Sequence, residues 1–272
     1  MLGLSLTLGA TALLGAGGGS PPAPAFDPAT LFAGGSTGFI IDPSNNTTML
    51  DSLLNSVEVG EGVRRVTSVY FGDWLEQATS TRRPIYQMDG EKHYLQFDGV
   101  DDTLSKYSAG AWWIDADTIT VMAGIRKAQN VNMEDVFGLG TNPPAINGGF
   151  NLAATYDPSS NTAGIGTRGT SAAVPARAGN VLVGSDYVLT GIGHISGDIA
   201  TIRRNGVVMQ TNTLDQGAGN YANTFCYIGS RGGGSRFFSG RLYGMFAINR
   251  LLTAEELAGA EGWMASKCGV TL

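Results

Sequence analysis

Residues 200–211, ATIRRNGVVMQT, restrict the folds open to this chain more than any other stretch. Asn205-Gly206 is a two-residue turn whose central positions both need positive φ, and apolar runs flank it on each side. Such a turn forces an antiparallel strand pair. It opposes Arg204 to Val207 and Ile202 to Met209. Ala200, Ile202, Val207 and Met209 then share a buried face, while Thr201, Arg203 and Gln210 point to solvent. The same grammar recurs along the chain, as short apolar or β-branched runs cut by Gly, Asn, Asp and Pro. It predicts strands at 94–97, 118–126, 135–139, 149–154, 180–182, 187–195, 200–204, 207–211, 224–228 and 238–249. Shorter pieces between 29 and 87 (LFAGG, GFIIDPSNN, SVEVGEGV, VTSVYFGDW) predict two or three more. Strands this dense point to an all-β sandwich.

The last residues follow a different pattern. Along 237–249, Phe237, Ser239, Arg241, Tyr243 and Met245 fall on one face, and Phe238, Leu242, Phe246 and Ile248 on the other. Thr253-Ala-Glu-Glu256 then forms a capping box, with Leu252 and Leu257 spaced as a hydrophobic staple. Lys267 sits in the last turn, and Gly269 is placed to end the helix in the left-handed region. The expected ending is a strand followed by a helix packed against the sandwich.

Composition narrows the partners. Charged residues make up only 15% of the chain, glycines number 40, and the formal net charge of −6 argues against a nucleic-acid partner. Cys226 and Cys268 both sit among apolar residues and read as buried free thiols. A bridge between the last strands and the helix is the alternative in an oxidising medium. Residues 1–28 form an apolar, then Gly/Pro-rich, leader. Its opening resembles a signal-peptide core with Ala23-Pro24-Ala25 as cleavage site, yet no Lys or Arg precedes Arg64. The other reading is an arm that orders against a partner protein. The apolar stretch is too short and glycine-broken to span a bilayer, so no membrane span is expected.

Three stretches together resemble the concanavalin A-like lectin/glucanase superfamily, particularly its laminin-G-like members. They are YLQFDGVDDTL at 94–104, the hairpin at 202–209, and the ending in which Gly240, Asn249-Arg250, Leu252, Thr253, Glu256, Trp263 and Lys267 match in order. The resemblance covers residues 90–272 and implies an antiparallel jelly-roll sandwich. A second resemblance, to the leader of such domains in tailed-bacteriophage virion proteins, lies in Asp42-Pro43-Ser44, Asp51, Gln77-Ala78-Thr79, Arg83-Pro84 and Tyr86. The segment FGDWLE at 71–76 departs from that pattern. This second resemblance implies a virion component of tail, tail fibre or baseplate, partnered by other virion proteins and forming a homo-oligomer. It divides the chain into the leader 1–28, a small β-rich docking region 29–89, and the sandwich 90–272.

Glucanases of that superfamily need two carboxylates on one face of a strand, at i and i+2 or i+4. No predicted strand carries them. Glu134 and Asp135 are adjacent and face opposite ways, Glu58 and Glu61 bracket Gly60, and Glu255, Glu256 and Glu261 belong to the helix and its cap. His194 lies near Ser196 and Asp198 without the strand–turn–helix context of a nucleophile elbow. Gly164–Gly169 matches GxGxxG, again without that context. The expectation is therefore no enzyme and no cofactor. Asp98, Asp101 and Asp102 form a weak candidate calcium set that the turn itself explains, and there is no ligand cluster for zinc.

Glycan contact needs an aromatic platform beside planar polar groups on a sandwich rim. Trp112 and Trp113 are candidates, as are Tyr227, Arg231 and Arg236 around Gly232–Gly234. The competing reading packs one tryptophan into the core. The functional expectation is a phage virion structural protein displaying a lectin-like domain for assembly and host-surface polysaccharide contact. The alternative is a secreted bacterial carbohydrate-binding module or glycan-active enzyme.

Overall fold

The computed structural model describes residues 26–68, 73–106, 112–113 and 115–272. The leader 1–25, with its signal-peptide and arm readings, lies outside the described residues. Two sheets face each other, with every pairing antiparallel. The eight-stranded sheet runs β15 (Val207–Asn212), β14 (Ile199–Arg204), β13 (Asp186–His194), β8 (Thr118–Lys127), β17 (Ser239–Ile248), β6 (Lys92–Asp98) and β5 (Ile85–Asp89). In it β1 (Gly38–Ile41) also pairs with β17. The nine-stranded sheet runs β12 (Val174–Ala178), β11 (Thr162–Thr167), β10 (Phe150–Asp157), β9 (Glu134–Leu139), β16 (Cys226–Ile228), β7 (Leu104–Lys106), β4 (Trp74–Glu76), β3 (Arg65–Thr67) and β2 (Met49–Leu50). Helix α1 (Ala254–Cys268) closes the chain. The fold is the antiparallel jelly-roll type of sandwich that the sequence predicts. Strands from the 29–89 segment are woven into both sheets.

Bulges account for the local departures. Asn205 and Gly206 take φ of 48° and 79°, as their turn requires, and Arg204 opposes Val207. A bulge between Ile202 and Arg203 then pairs Ile202 with Gln210 instead of Met209. Val207, on the turn side of that bulge, is 62% exposed instead of buried. In β17, a bulge between Leu242 and Gly244 turns the chain over. Downstream of it Met245 and Ala247 face the inter-sheet core, while Tyr243, Phe246 and Ile248 join the opposite cluster. One extra residue inverts every later side chain. Residues 180–182 form no strand, since Asn180 turns the chain with φ of 59°. Strands β11 and β12 lie where the sequence shows a chance GxGxxG and a proline-containing loop.

Two cores flank the eight-stranded sheet. Between the sheets, Phe39, Phe97, Trp112, Trp113, Phe137 and Phe150 are buried with the aliphatic residues of both inner faces. On the other side, Tyr94, Met122, Val188 and Phe246 meet Ala260, Met264 and Cys268 of α1, spaced one turn apart. Gly124 and Gly244 are register partners beneath the helix. A Cβ on Gly124 would come within 2.9 Å of Met264 Sδ, so the bare position lets the Met264 side chain pack closely against the sheet. Thr253 and Glu256 form the expected capping box, and Gly269 ends the helix at φ 71°. Cys226 and Cys268 are buried free thiols in these two separate cores. No helix among the described residues is long and apolar enough to cross a membrane.

Candidate functional site

Alternation leaves each sheet an outer face, and the two differ in kind. On the outer face of the eight-stranded sheet α1 packs over Tyr94, Met122, Val188 and Phe246, with the Arg203–Glu261 and Arg126–Asp186 ion pairs beside this apolar patch. The nine-stranded sheet turns Leu75, Leu104, Ile228, Phe137, Leu152 and Ile165 inward. On the opposite side of those strands stand Arg65, Trp74, Glu76, Ser105, Tyr227, Gly138, Asn151, Gly164, Gly166 and Arg177. No helix among the described residues covers this side.

Two assemblies organise it. At β3 and β4, Trp74 is 42% exposed, with the Arg65 guanidinium 4.5 Å from its ring centroid and Lys106 Nζ at 5.7 Å. Glu76 accepts from Arg64 Nε at 3.0 Å and from Arg65 Nη2 at 3.1 Å. Burial is the largest single influence and pushes its carboxyl up, but the hydrogen bonds and charges of Arg65 and Arg64 together outweigh it and hold the carboxyl below the ordinary value. Lys106 also bonds Asp73 at 2.9 Å. Cation–aromatic contacts of this type fix a ring's position.

The second assembly surrounds Asp135, which is fully buried. Arg231 Nε donates to it at 3.0 Å and Asn151 Nδ2 at 3.0 Å, while Arg236 Nη1 stands 3.9 Å away. Asn151 Oδ1 and Arg231 Nη2 are buried without a protein partner. Beyond Gly164, whose missing Cβ makes room for the Tyr156 ring, Arg177 lies 5.1 Å over that ring. A hollow of about 290 Å³ opens beside Arg236, lined also by Gly99, Asn132, Met133 and Phe237. A second groove, of about 320 Å³, lies on the far side of the molecule between Phe26, Ile40, Asp42 and Trp263. It is apolar and joins the leader to α1.

The structure divides the sequence candidates. Arg231 and Arg236 meet at Asp135 on the polar face. Tyr227 lies on the same side but is only 8% exposed, its ring stacked on Phe225 at 5.6 Å and close to Gly233. Trp112 and Trp113 do not join them. They are 1% and 0% exposed and sit edge-to-face at 5.7 Å inside the core. Trp112 Nε1 is satisfied by Asp73 at 3.1 Å, so neither ring is offered to a ligand. Trp74, Arg65, Tyr156 and Arg177 were missed by sequence reasoning. The exposed tryptophan in GDWLE was the one visible signal.

The remaining candidates are accounted for by local bonds. The carboxylates of Asp98, Asp101 and Asp102 converge within 4.8 Å. Asp98 Oδ1 accepts backbone N–H groups of Val100, Asp101 and Asp102, and Asp102 Oδ2 accepts from Asp98 N, which is a turn tied to itself. Burial, then the Asp98 charge, raises Asp102 to about 7. Glu134 and Asp135 take different partners. Glu134 bonds Gln129 at 2.9 Å and Thr155 at 3.1 Å, and burial raises it to about 7. Ser196 Oγ bonds Asp117, and both approach His194 Nε2, at 3.2 and 3.5 Å. With acid and hydroxyl on the same ring nitrogen, the relay order of a catalytic triad is absent.

The residues behind the two family resemblances also meet. Lys267 Nζ bonds both Asp42 oxygens at 3.0 and 2.8 Å. Arg83 is 7% exposed and donates to the carbonyls of Gln77 and Ala78 at 2.9 and 2.6 Å. They are structural ties.

No protein-family model matches this chain, and no curated protein matches it. Solved structures do. A Trypanosoma rangeli sialidase in complex with the inhibitor DANA is similar over 76% of this chain and 31% of its own, at 16% identity and TM-score 0.53. The binding domain of botulinum neurotoxin serotype G is similar over 72% of this chain and 49% of its own, at 12% identity and TM-score 0.51. The Ruminococcus gnavus IT-sialidase CBM40 bound to alpha2,3 sialyllactose matches 54% of this chain and 84% of its own, at 18% identity and TM-score 0.43. The first two likenesses are ones of fold, and the third is too distant to argue from. This chain spans about a third of the sialidase chain. The exclusion of an enzyme, drawn from missing carboxylate pairs, is corrected here. Sialidases are enzymes and share this sandwich, so the fold occurs within glycan-hydrolysing proteins.

Proposed function

We propose that this chain is a carbohydrate-binding sandwich that meets its glycan with the outer face of the nine-stranded sheet. One observation carries the reading. At its β3–β4 end that face presents Trp74, 42% exposed, between two cations, while α1 packs on the opposite face of the other sheet. A flat ring offers a surface to sugar C–H groups, and guanidinium, amide and carboxylate groups beside it suit ring hydroxyls. The sandwich is one that also occurs within a sialidase chain, of which this chain matches 31%. A narrower setting, the virion of a tailed phage, rests on the leader resemblance.

The test is a glycan array probed with the full chain and with Trp74→Ala. Binding that the variant loses supports the reading, and a full chain silent on every glycan ends it. Mass spectrometry of purified phage particles decides the setting, because a virion component must be found there.

A further inference from the structure

The face proposed for glycan contact also gathers positive charge, which bears on the ligand; the inference rests on that reading. The chain as a whole carries 17 Lys and Arg against 23 Asp and Glu. Two clusters on this face carry more cations than anions. Glu76 is shared by Arg64 and Arg65, and Asp135 by Arg231 and Arg236. One carboxylate between two guanidinium groups leaves one positive charge uncompensated in each trio. Burial and the Arg231 charge lower the pKa of Arg236 against the pull of Asp135, as expected where cations crowd. Arg177, 5.1 Å over the Tyr156 ring, adds a further cation to this side. Lys106 is balanced by Asp73.

The arginines are placed for contact with a ligand. Arg64, Arg65 and Arg236 side chains are 31%, 21% and 26% exposed. Strands β3 and β9 stand four places apart in the sheet order, roughly 19 Å at the usual strand spacing. That separation exceeds the reach of a single sugar.

We infer that this face takes a polyanionic polysaccharide, one whose sugars carry carboxylate or sulfate groups, laid across the strands from the Arg64–Arg65 pair to the Arg231–Arg236 pair. Each end supplies a weak, salt-screened contact. A polymer engaging both gains from the effective concentration of the second site once the first is bound. Arginine suits the role because its planar fork matches carboxylate and sulfate oxygens.

Affinity electrophoresis of the full chain through polygalacturonate, dextran sulfate, neutral dextran and polyphosphate tests this at 20 and 300 mM salt, conditions chosen to be about 20 Å and about 6 Å in screening length. The expected result is retardation by the charged polysaccharides, roughly tenfold weaker at the higher salt, and no retardation by dextran. Arg64→Gln and Arg236→Gln should each weaken it several-fold while remaining folded at the assay temperature, as checked by thermal melts. If either variant unfolds, oligogalacturonates of rising length replace it, and affinity should climb steeply once both pairs are spanned. Equal retardation by neutral dextran overturns the inference and leaves the glycan reading standing. Retardation by no polysaccharide overturns both. Retardation by polyphosphate as strong as by polygalacturonate assigns the face to anions in general and overturns the glycan specificity.

Discussion

Glu256 joins three parts of the chain, and replacing it with Gln separates their contributions. Its carboxylate accepts two bonds from Arg250, each 2.7 Å, and one from the backbone N–H of Thr253 at 2.9 Å. Arg250 in turn holds the Leu31 carbonyl and Ser36 Oγ. The end of β17, the start of α1 and the turn at 28–35 therefore hang on one ion pair. Hydrogen bonds from Arg250 hold Glu256 at about 2 instead of 4.5. That depression corresponds to about 3 kcal/mol at most. The side chain is 30% exposed, so solvent screening reduces the expected contribution to about 1.5–2 kcal/mol.

The sign follows from linkage. The folded value lies below the unfolded one, so the stability is present above pH 4.5 and drains away as pH falls toward 2. Gln keeps an acceptor for Thr253 N, so Glu256→Gln loses the charge and little of the cap. Urea denaturation at pH 7 should show the variant weaker by about 1.5–2 kcal/mol, with the gap closing near pH 2. A gap that stays constant over that range, or one absent at pH 7, refutes the reasoning.

Other perturbations separate core from face. Glu134 is fully buried and raised to about 7, so its ionisation costs stability as pH climbs from 4.5 through 7. Glu134→Gln should match the natural chain near pH 4 and exceed it by up to about 3 kcal/mol at pH 8 in urea titrations; a loss at pH 8 contradicts this. Arg203 donates to Glu261 at 2.8 and 2.9 Å, and that helix acid is 1% exposed. Arg203→Ala should cost about 3–5 kcal/mol, and the pair Arg203→Met with Glu261→Leu should recover most of it. Trp113→Ala should cost about 3–5 kcal/mol in the core, and Trp74→Ala less than about 1 kcal/mol on the open face. Comparable losses would place Trp74 in the interior.

The sandwich was legible because its strongest signals are local. The Asn-Gly turn, the Thr253–Glu256 box and Gly269 act within a few residues of themselves, and each stands where the sequence puts it. Strands β11 and β12 escaped notice because their outward positions hold Gly164, Gly166 and Pro175, so no alternation of apolar and polar residues marks them. Bulges at Leu242 and Ile202 shift faces without any signature in composition. The tryptophan doublet could have lain at the surface or inside. What settles it is Asp73, which reaches Trp112 from 39 residues away. The candidate face is less legible still. Asp135 meets Arg231 across 96 positions, and Arg65 meets Trp74 only because β3 and β4 pair.

Hydrogen–deuterium exchange of the full chain with and without a saturating polysaccharide tests the central claim most directly. Slowed exchange in β3, β4, β16 and the 229–236 loop, with α1 unchanged, is the expected outcome. Protection confined to α1 and the Phe26–Trp263 groove, or no protection with any glycan offered, would contradict the account.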